Sequence, residues 1–154
     1  EDAGFYLPNN ARANDFKPTT TGKANFTVNA ISDIKLTEKQ FIMMTIRTHD
    51  QYNTTIYGLD DRYRGVLNER RVLFMNVHDM EKNNINKSDL VDLRSHFNDE
   101  VREAKGFLAI PYNIPKQCTA TYFPEANVLV PIQSTGRTSN TPTSKTVIIR
   151  IHKR

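Results

Sequence analysis

Apolar and polar residues alternate with a period of two in several stretches of the chain, which is the pattern of strands with one buried face. In residues 88–97, Val91 and Leu93 fall on one side, while Asp92 and Arg94 fall on the other. The same kind of pattern occurs in residues 23–31 and 145–152. Each of these stretches therefore predicts a half-buried strand.

Other stretches are apolar without alternation and too short for a typical helix, so they predict strands buried on both faces. They are residues 41–47, 70–76, 106–113 and 127–132. Roughly six to eight short strands with one or two small helices are typical of a closed β-barrel. The hydrophobic pattern therefore predicts a mainly β fold with short helices.

The segments between the predicted strands carry helix and turn signals. Thr37 is placed to cap a short helix in residues 36–40, and Asp79 is placed to cap one or two helical turns in residues 78–85. Residues 97–106 are rich in charge and predict a turn and a sheet edge.

The beginning of the chain differs from the rest. Residues 1–22 contain Pro, Asn and a Thr run that ends in Gly, which predicts a loop-rich lead-in. No linker divides the remaining sequence and no internal repeat is legible, so we expect residues 1–154 to form a single domain. The chain begins with Glu1 rather than Met, and we therefore expect it to be a piece of a longer protein.

Composition and charge change this picture little. The chain is 38% hydrophobic, and it has no apolar run near the roughly 20 residues that span a bilayer, so we expect no membrane partner. A net charge of +4 favours anionic partners only weakly and does not by itself indicate nucleic acid. Cys118 is the only cysteine, which excludes an internal disulfide and favours the reducing cytoplasm. We interpret its thiol as a small buried side chain.

The sequence contains no pattern typical of a self-contained catalytic or metal centre. The four His residues are not paired with other ligands at zinc-like spacing, and the six Gly residues form no phosphate-binding loop. Asp60 and Asp61 are adjacent carboxylates, but Arg62 and Arg64 beside them favour an ion-paired surface turn. We therefore predict no catalytic and no metal-ligating residues in this chain.

Two clusters of polar side chains lie next to predicted strands, one after residues 41–47 and one in residues 127–145. Both combine neutral amides and hydroxyls with fixed positive charge, which Arg47 supplies in the first cluster and Arg137 and Lys145 supply in the second. Amides match the edge of a heterocycle, and cations with hydroxyls match phosphate. The same residue types also build ordinary turns, so composition alone leaves both interpretations open.

An ordered set of motifs runs through most of the chain: "TTTGKANFTV", "HDQYNTTIYGLDDRYRG", "RRVLFMN", "SDLVDL", "YFPEANVLVP" and "SNTPTSKTVIIRI". Together they resemble the C-terminal, molybdopterin-dinucleotide-binding domain of molybdopterin oxidoreductases of the formate dehydrogenase alpha-subunit type. The second motif, at residues 49–65, is the most specific member of the set.

The resemblance implies a double-psi β-barrel like that of aspartate decarboxylase. It implies a full-length molybdenum or tungsten oxidoreductase, formate dehydrogenase-like, whose cofactor is molybdopterin guanine dinucleotide. The metal-ligating residues, and any iron–sulfur cluster, would lie elsewhere in such an enzyme. The implied partners are the other domains of the same chain, and the isolated domain is expected to be inactive.

The resemblance also implies which residues bind the cofactor. By position, the family's turn toward the phosphates and pterin falls on Arg47, His49, Gln51, Tyr52, Asn53, Thr54 and Thr55. The Asn that contacts the pterin edge falls on Asn127, and the C-terminal Lys falls on Lys145, with Ser144 and Asn140 close by. The chain departs from many relatives at Ile46, where they have Gly, and at Ser144, where they have an aromatic residue.

Two other functions remain open at this point. A basic β-barrel that binds nucleic acid would need aromatic residues interleaved with Lys and Arg on an exposed strand, and residues 62–71 with Tyr63 are the best candidate. A free-standing double-psi barrel could instead be a protein-interaction module. The ordered motifs favour the cofactor-binding interpretation, so we expect no nucleic-acid partner.

Overall fold

The computed structural model describes residues 3–31, 33–52 and 58–154. The chain divides into two compact units, Glu1–Lys35 and Leu36–Arg154. The described residues of the first unit form turns and irregular backbone. All helices and strands of the described residues lie in the second unit.

In the described part of the second unit there are six strands and two short helices. The strands are β1 (Phe41–Ile46), β2 (Val72–Met75), β3 (Leu90–Phe97), β4 (Glu100–Pro111), β5 (Cys118–Tyr122) and β6 (Val147–Lys153). The helices are α1 (Val77–Lys82) and a 3₁₀ turn at Asn127–Leu129. The predicted mainly β fold with short helices is confirmed.

The strands close into one barrel in the order β1-β5-β2-β4-β3-β6. The pairs β1–β5 and β2–β4 are parallel, and every other neighbouring pair is antiparallel. Closure removes the exposed strand edges of an open sheet. The closed six-stranded barrel agrees with the barrel fold that the resemblance implied.

The pairing of the strands determines which strand ends lie together at each end of the barrel. Ile46 pairs with Tyr122, so β1 and β5 finish together. Because β2 runs antiparallel to β5, and β6 antiparallel to β1, both begin at that same end. We call this end, where β1 and β5 finish and β2 and β6 begin, the β1 rim. The opposite end, where β2 leads into α1, is the α1 rim.

The core consists of two apolar clusters that share strand β2. Leu73 and Met75 belong to the larger cluster, and Val72 and Phe74 belong to the smaller one. Since successive side chains of a strand point to opposite faces, β2 is buried on both faces. Burying a side chain of this size contributes roughly 1.5–3 kcal/mol. The strand predicted at residues 70–76 is therefore confirmed, and its four apolar residues form β2.

The predictions for two early segments are wrong. Residues 23–31 carry no strand, and the side chains of Phe26 and Val28 are fully exposed. Alternation alone does not make a strand, since the backbone groups also need a neighbour to pair with. Residues 36–40 form a turn instead of a helix, closed by the Gln40 amide donating to the Thr37 carbonyl at 3.1 Å.

The structure also corrects three element assignments further along the chain. Asn76, and not Asp79, caps α1, since its side chain accepts from the His78 amide. Charged residues 97–106 belong largely to the long strand β4, whose first half forms outward ion pairs such as Arg94–Glu103. Residues 127–132 begin with a 3₁₀ turn where a strand was predicted.

Candidate functional site

The segments that follow β1 and β5 are joined at the β1 rim. The Phe123 amide donates to the Ile46 carbonyl at 2.8 Å, which extends the parallel pairing past both strands. The segment before β6 joins them there, because the Thr45 amide donates to the Ser144 carbonyl at 2.9 Å and Lys145 Nζ donates to the Thr45 carbonyl. Three segments that are distant in sequence therefore meet at one end of the barrel.

Residues 47–51 form a closed turn directly after β1. The Gln51 amide donates to the Thr48 carbonyl at 3.2 Å, and Gln51 Oε1 accepts from the Thr48 amide at 3.4 Å. Gln51 Nε2 then donates to the Phe123 carbonyl at 3.0 Å. The Gln51 side chain is buried, and its hydrogen bond to Phe123 connects this turn to the turn after β5.

A buried arginine connects the same two turns. The Arg70 guanidinium, just before β2, contacts both carboxylate oxygens of Glu125, with Nε to Oε1 at 2.6 Å and Nη2 to Oε2 at 3.1 Å. Nη2 also donates to the Phe123 carbonyl at 2.9 Å and to Gln51 Oε1 at 3.1 Å, and Nη1 reaches Thr48 Oγ1 at 3.4 Å. Arg70 is only 3% exposed. Bidentate pairing of this kind fixes orientation as well as charge.

A second buried charge lies beside this network. Asp61 is fully buried, and its Oδ2 accepts from Arg64 Nη1 at 2.6 Å and from the Tyr122 hydroxyl at 2.8 Å. Burial alone would raise the pKa of Asp61, but the hydrogen bonds from Arg64 and Tyr122 and the Arg64 charge outweigh it, so this pKa lies below its ordinary value. Burial and the Asp61 carboxylate raise the pKa of Tyr122. The predicted ion pair exists, but Asp61 is in the interior and not in a surface turn.

Several predicted residues of the first cluster face outward. Arg47 is exposed, and its carbonyl accepts from Arg64 Nη1 at 3.3 Å. His49 is exposed and packs on Tyr63, with ring centroids 3.9 Å apart. Tyr52 is exposed too. Predicted residues Asn53, Thr54 and Thr55 lie outside the described residues.

Asn127 opens the 3₁₀ turn that follows β5, and it is exposed. The turn before it is closed tightly, since the Ala126 amide donates to the Tyr122 carbonyl at 3.1 Å and the Asn127 amide donates to the Pro124 carbonyl at 2.9 Å. These hydrogen bonds fix the backbone at Asn127, which follows Glu125 of the Arg70–Glu125 ion pair by two residues.

The last predicted residues lie before β6. Ser144 is half-buried and Lys145 is exposed at the β1 rim. Asn140 is exposed at the tip of a loop, with φ of 53° and its amide donating to the Gly136 carbonyl at 2.9 Å. The structure thus brings the Arg47–Gln51 turn, Asn127, Ser144 and Lys145 to one rim.

Sequence reasoning did not assign Arg70, Glu125 or Tyr122 to this rim, and it placed Asp61 in a surface turn although it is buried. Two signals were present. An Arg-Arg pair stands directly before a strand buried on both faces, and a Glu stands inside the motif that contains Asn127. Neither signal reveals its partner, because Arg70 and Glu125 are 55 residues apart.

The cations of residues 62–71 are largely engaged within the protein. Arg62 pairs with Asp50 at 3.3 Å, Arg64 with Asp61, and Arg70 with Glu125. Arg71 donates to the Lys105 carbonyl at 2.7 Å. This stretch is therefore not an exposed strand with alternating aromatic and basic side chains.

No group of His, Cys, Asp or Glu within residues 3–31, 33–52 and 58–154 is arranged to hold a metal ion. Cys118 lies at the start of β5, at the α1 rim. Its side chain is half-buried, whereas the sequence analysis predicted a buried thiol. In the same described ranges, no helix is both long and apolar enough to cross a membrane.

Sequence comparison assigns residues 41–148 to a family described as "Molydopterin dinucleotide binding domain". The chain is 47% identical over 154 residues to an uncharacterized oxidoreductase of Mycobacterium tuberculosis and equally so to one of Mycobacterium bovis. It is 33% identical over 158 residues to Protein YdeP of Escherichia coli. These alignments cover 96% of this chain but 20% of each relative, so the chain spans about a fifth of their length. Because the family covers most of the barrel unit, the chain belongs to the molybdopterin dinucleotide binding domain family.

Proposed function

We propose that the β1 rim binds molybdopterin guanine dinucleotide, and that the chain is the cofactor-binding part of a molybdenum or tungsten oxidoreductase. The observation that supports this site is the meeting of three distant segments, which carry Arg47, Asn127 and Lys145, at the end of the parallel strands β1 and β5. Ligand sites commonly lie where rigid strands give way to loops.

The chemistry of the exposed side chains fits this ligand. Arg47 and Lys145 carry fixed positive charges that can pair with the two phosphates. Asn127 presents an amide, whose donor and acceptor match the alternating edge of a pterin or guanine ring. Tyr52, an exposed aromatic side chain, offers an apolar face to a flat ring.

Three of the predicted residues differ in how they contribute to the proposed site. Gln51 acts by positioning, because its amide is already bonded to Phe123 and accepts from Arg70. Lys145 contacts the Thr45 carbonyl but has further N–H donors, so it can bind phosphate at the same time. His49 supports the rim by packing on Tyr63.

When bound, the metal and its dithiolene ligands supply the redox chemistry, and the residues of this chain supply binding and orientation. Arg47 and Lys145 offset negative charge at the rim. Asn127 satisfies ring donors and acceptors that become buried. A buried polar group without a partner costs roughly 1–3 kcal/mol, so each such contact selects for the correct ring.

For the activity of the whole protein, our proposal rests on its relatives. The mycobacterial relatives are named oxidoreductases, and this chain corresponds to about 20% of their length. We infer a formate dehydrogenase-like oxidoreductase whose remaining domains complete the cofactor cage. The single cysteine favours a reducing compartment, the cytoplasm.

The binding site is tested in the full-length protein with the variants Arg47→Ala and Asn127→Ala. Each removes a contact of about 1.5–3 kcal/mol, so retained guanine nucleotide should fall roughly tenfold or more under dilution. The measurement is guanine nucleotide and metal content per protein after gel filtration, together with the melting temperature.

Arg150→Ala and Asn113→Ala are the matched controls, since both residues are exposed and lie away from the β1 rim. The controls should keep parental nucleotide and metal content. Parental content in Arg47→Ala and Asn127→Ala would refute the site.

The proposed substrate and the identity of the metal are tested separately. The purified full-length protein is expected to reduce an artificial electron acceptor when formate is added, and elemental analysis distinguishes molybdenum from tungsten. A protein that holds the dinucleotide but shows no formate-dependent reduction would keep the site and exclude formate as substrate.

A further inference from the structure

The ion pair of Arg70 and Glu125 is placed between the two turns of the β1 rim. Arg70 donates to the first turn at Gln51 and Thr48, and to the second turn at Phe123 and Glu125. Each of its three guanidinium nitrogens has a partner, and the group is planar. The contacts therefore set both the separation of the turns and their relative angle.

The position of this pair differs from that of an ordinary surface ion pair. The side chain of Arg70 is 4% exposed and that of Glu125 is 15% exposed. Buried ion pairs are weak stabilisers on balance, because desolvation offsets much of their attraction. Their best-attested use is to specify one arrangement among several.

Both turns carry side chains of the proposed site within a few residues of the ion pair. Glu125 is two residues before Asn127, in a turn closed by backbone hydrogen bonds. Thr48, which accepts from Arg70, directly follows Arg47. A shift of either ion-pair partner would therefore move the side chains that face the ligand.

We propose that Arg70 and Glu125 are positioning residues that hold Arg47 and Asn127 at the spacing required by a dinucleotide. This inference rests on the proposed function of the β1 rim. The pair contributes no contact to the ligand and acts through the two turns.

The test uses the full-length protein and the variant Glu125→Gln, which keeps the shape of the side chain and removes its charge. Dissociation of the guanine nucleotide, followed after dilution, should become roughly tenfold faster. Amide hydrogen exchange should accelerate at residues 47–51 and 123–127 and stay at parental rates in β3 and β6. A purely structural role predicts faster exchange throughout the barrel, and that result would overturn the proposal.

A double variant separates positioning from general weakening. If Glu125 acts through Asn127, the variant Glu125→Gln/Asn127→Ala should lose nucleotide less than the product of the two single effects, because residues in one network are not additive. A fully multiplicative effect would overturn the proposal.

Conservative variants cover the case in which Glu125→Gln does not fold. Glu125→Asp keeps the charge but is one methylene shorter, and Arg70→Lys keeps the charge but cannot form the bidentate contact. Both should speed nucleotide dissociation. Parental rates in Glu125→Asp and Arg70→Lys, with faster rates in Asn127→Ala, would overturn this inference alone. Parental rates in Asn127→Ala and Arg47→Ala as well would overturn the proposed function with it.

Discussion

At the residue scale, Asp61 shows how a fully buried charge is accommodated in this protein. Its carboxylate accepts from the side chains of Arg64 and Tyr122 and from the backbone amides of Tyr63 and Arg64. These contacts lower its pKa in the folded protein despite the opposing effect of burial. A carboxylate with a lowered folded-state pKa stabilises the fold above the ordinary Asp pKa of about 4, and this contribution is lost as the pH falls through the folded-state pKa.

Asp61→Asn is expected to lower the free energy of unfolding by about 2–4 kcal/mol at neutral pH, because it removes the charge opposite Arg64 and leaves polar atoms poorly paired. The difference from the parent should shrink as the pH falls from about 4 through the lowered folded-state pKa of Asp61, because the unfolded parent takes up a proton first and the folded carboxylate only at lower pH. Urea unfolding at a series of pH values measures both effects.

Asp60→Asn is the matched control, since Asp60 is exposed and its Oδ1 accepts from the Asn68 amide in a way that Asn preserves. Its unfolding energy should stay within about 0.5 kcal/mol of the parent. Equal losses in both variants, or a loss in Asp61→Asn that does not change with pH, would contradict the assigned role of Asp61.

The buried charges also mark the limit of sequence reasoning at this scale. The residues 60–64 predicted an ion pair correctly, because opposite charges stand close together in the chain. The burial of Asp61 depends on Tyr122, which is 61 residues away. One sequence without an alignment carries no sign of such a pairing.

At the element scale, Asn76 is one of the residues that fix the position of α1, beside Asp79, whose Oδ2 accepts from the Gln117 amide, and the buried Met80. Asn76 Oδ1 accepts from the His78 amide at 3.0 Å, which caps the helix, and Asn76 Nδ2 donates to the Ile114 carbonyl at 2.6 Å. The same residue therefore caps α1 and attaches it to the segment that follows β4.

Asn76→Ala should lower the free energy of unfolding by about 1–2 kcal/mol, since it removes the cap and one further hydrogen bond. Asn76→Asp keeps an acceptor for the cap but loses the donor to Ile114, so its loss should be smaller. Chemical denaturation of both variants provides the measurement. Equal stability of Asn76→Ala and the parent would show that α1 is held by packing alone.

The elements that were predicted and those that were missed differ in a physical way. The patterns at 70–76 and 88–97 predicted β2 and β3 because the buried residues of β2 are all apolar and those of β3 are apolar except Ser95. β5 is buried on both faces, and it was missed because one of these faces carries Thr119 and Thr121, whose hydroxyl side chains interrupt the apolar run. The sequence motifs predicted the cofactor-binding family. The periodicity of apolar residues predicted individual strands but not their order in the barrel.

At the scale of the whole molecule, both apolar clusters belong to the barrel unit. Their buried members among the described residues begin at Phe41 and end at Ile149. In the first unit, Phe26, Val28 and Ile31 are almost fully exposed. The stability of the barrel is therefore expected to be independent of the first unit.

Removal of residues 1–35 should leave the unfolding midpoint and the cooperativity of residues 36–154 nearly unchanged, because no buried core side chain is lost. Thermal and urea unfolding of the two chain lengths give the comparison. A midpoint lowered by more than about 5 °C, the shift expected for roughly 1 kcal/mol in a domain of this size, would mean that the first unit stabilises the barrel.

We propose that the dinucleotide binds to the β1 rim of this chain. The most direct measurement is an experimental structure of the full-length protein with its cofactor bound. We expect the dinucleotide to lie against Arg47, Asn127 and Lys145, with the Arg70–Glu125 ion pair intact beneath it. A dinucleotide bound at the α1 rim, near His78 and Lys116, would contradict it.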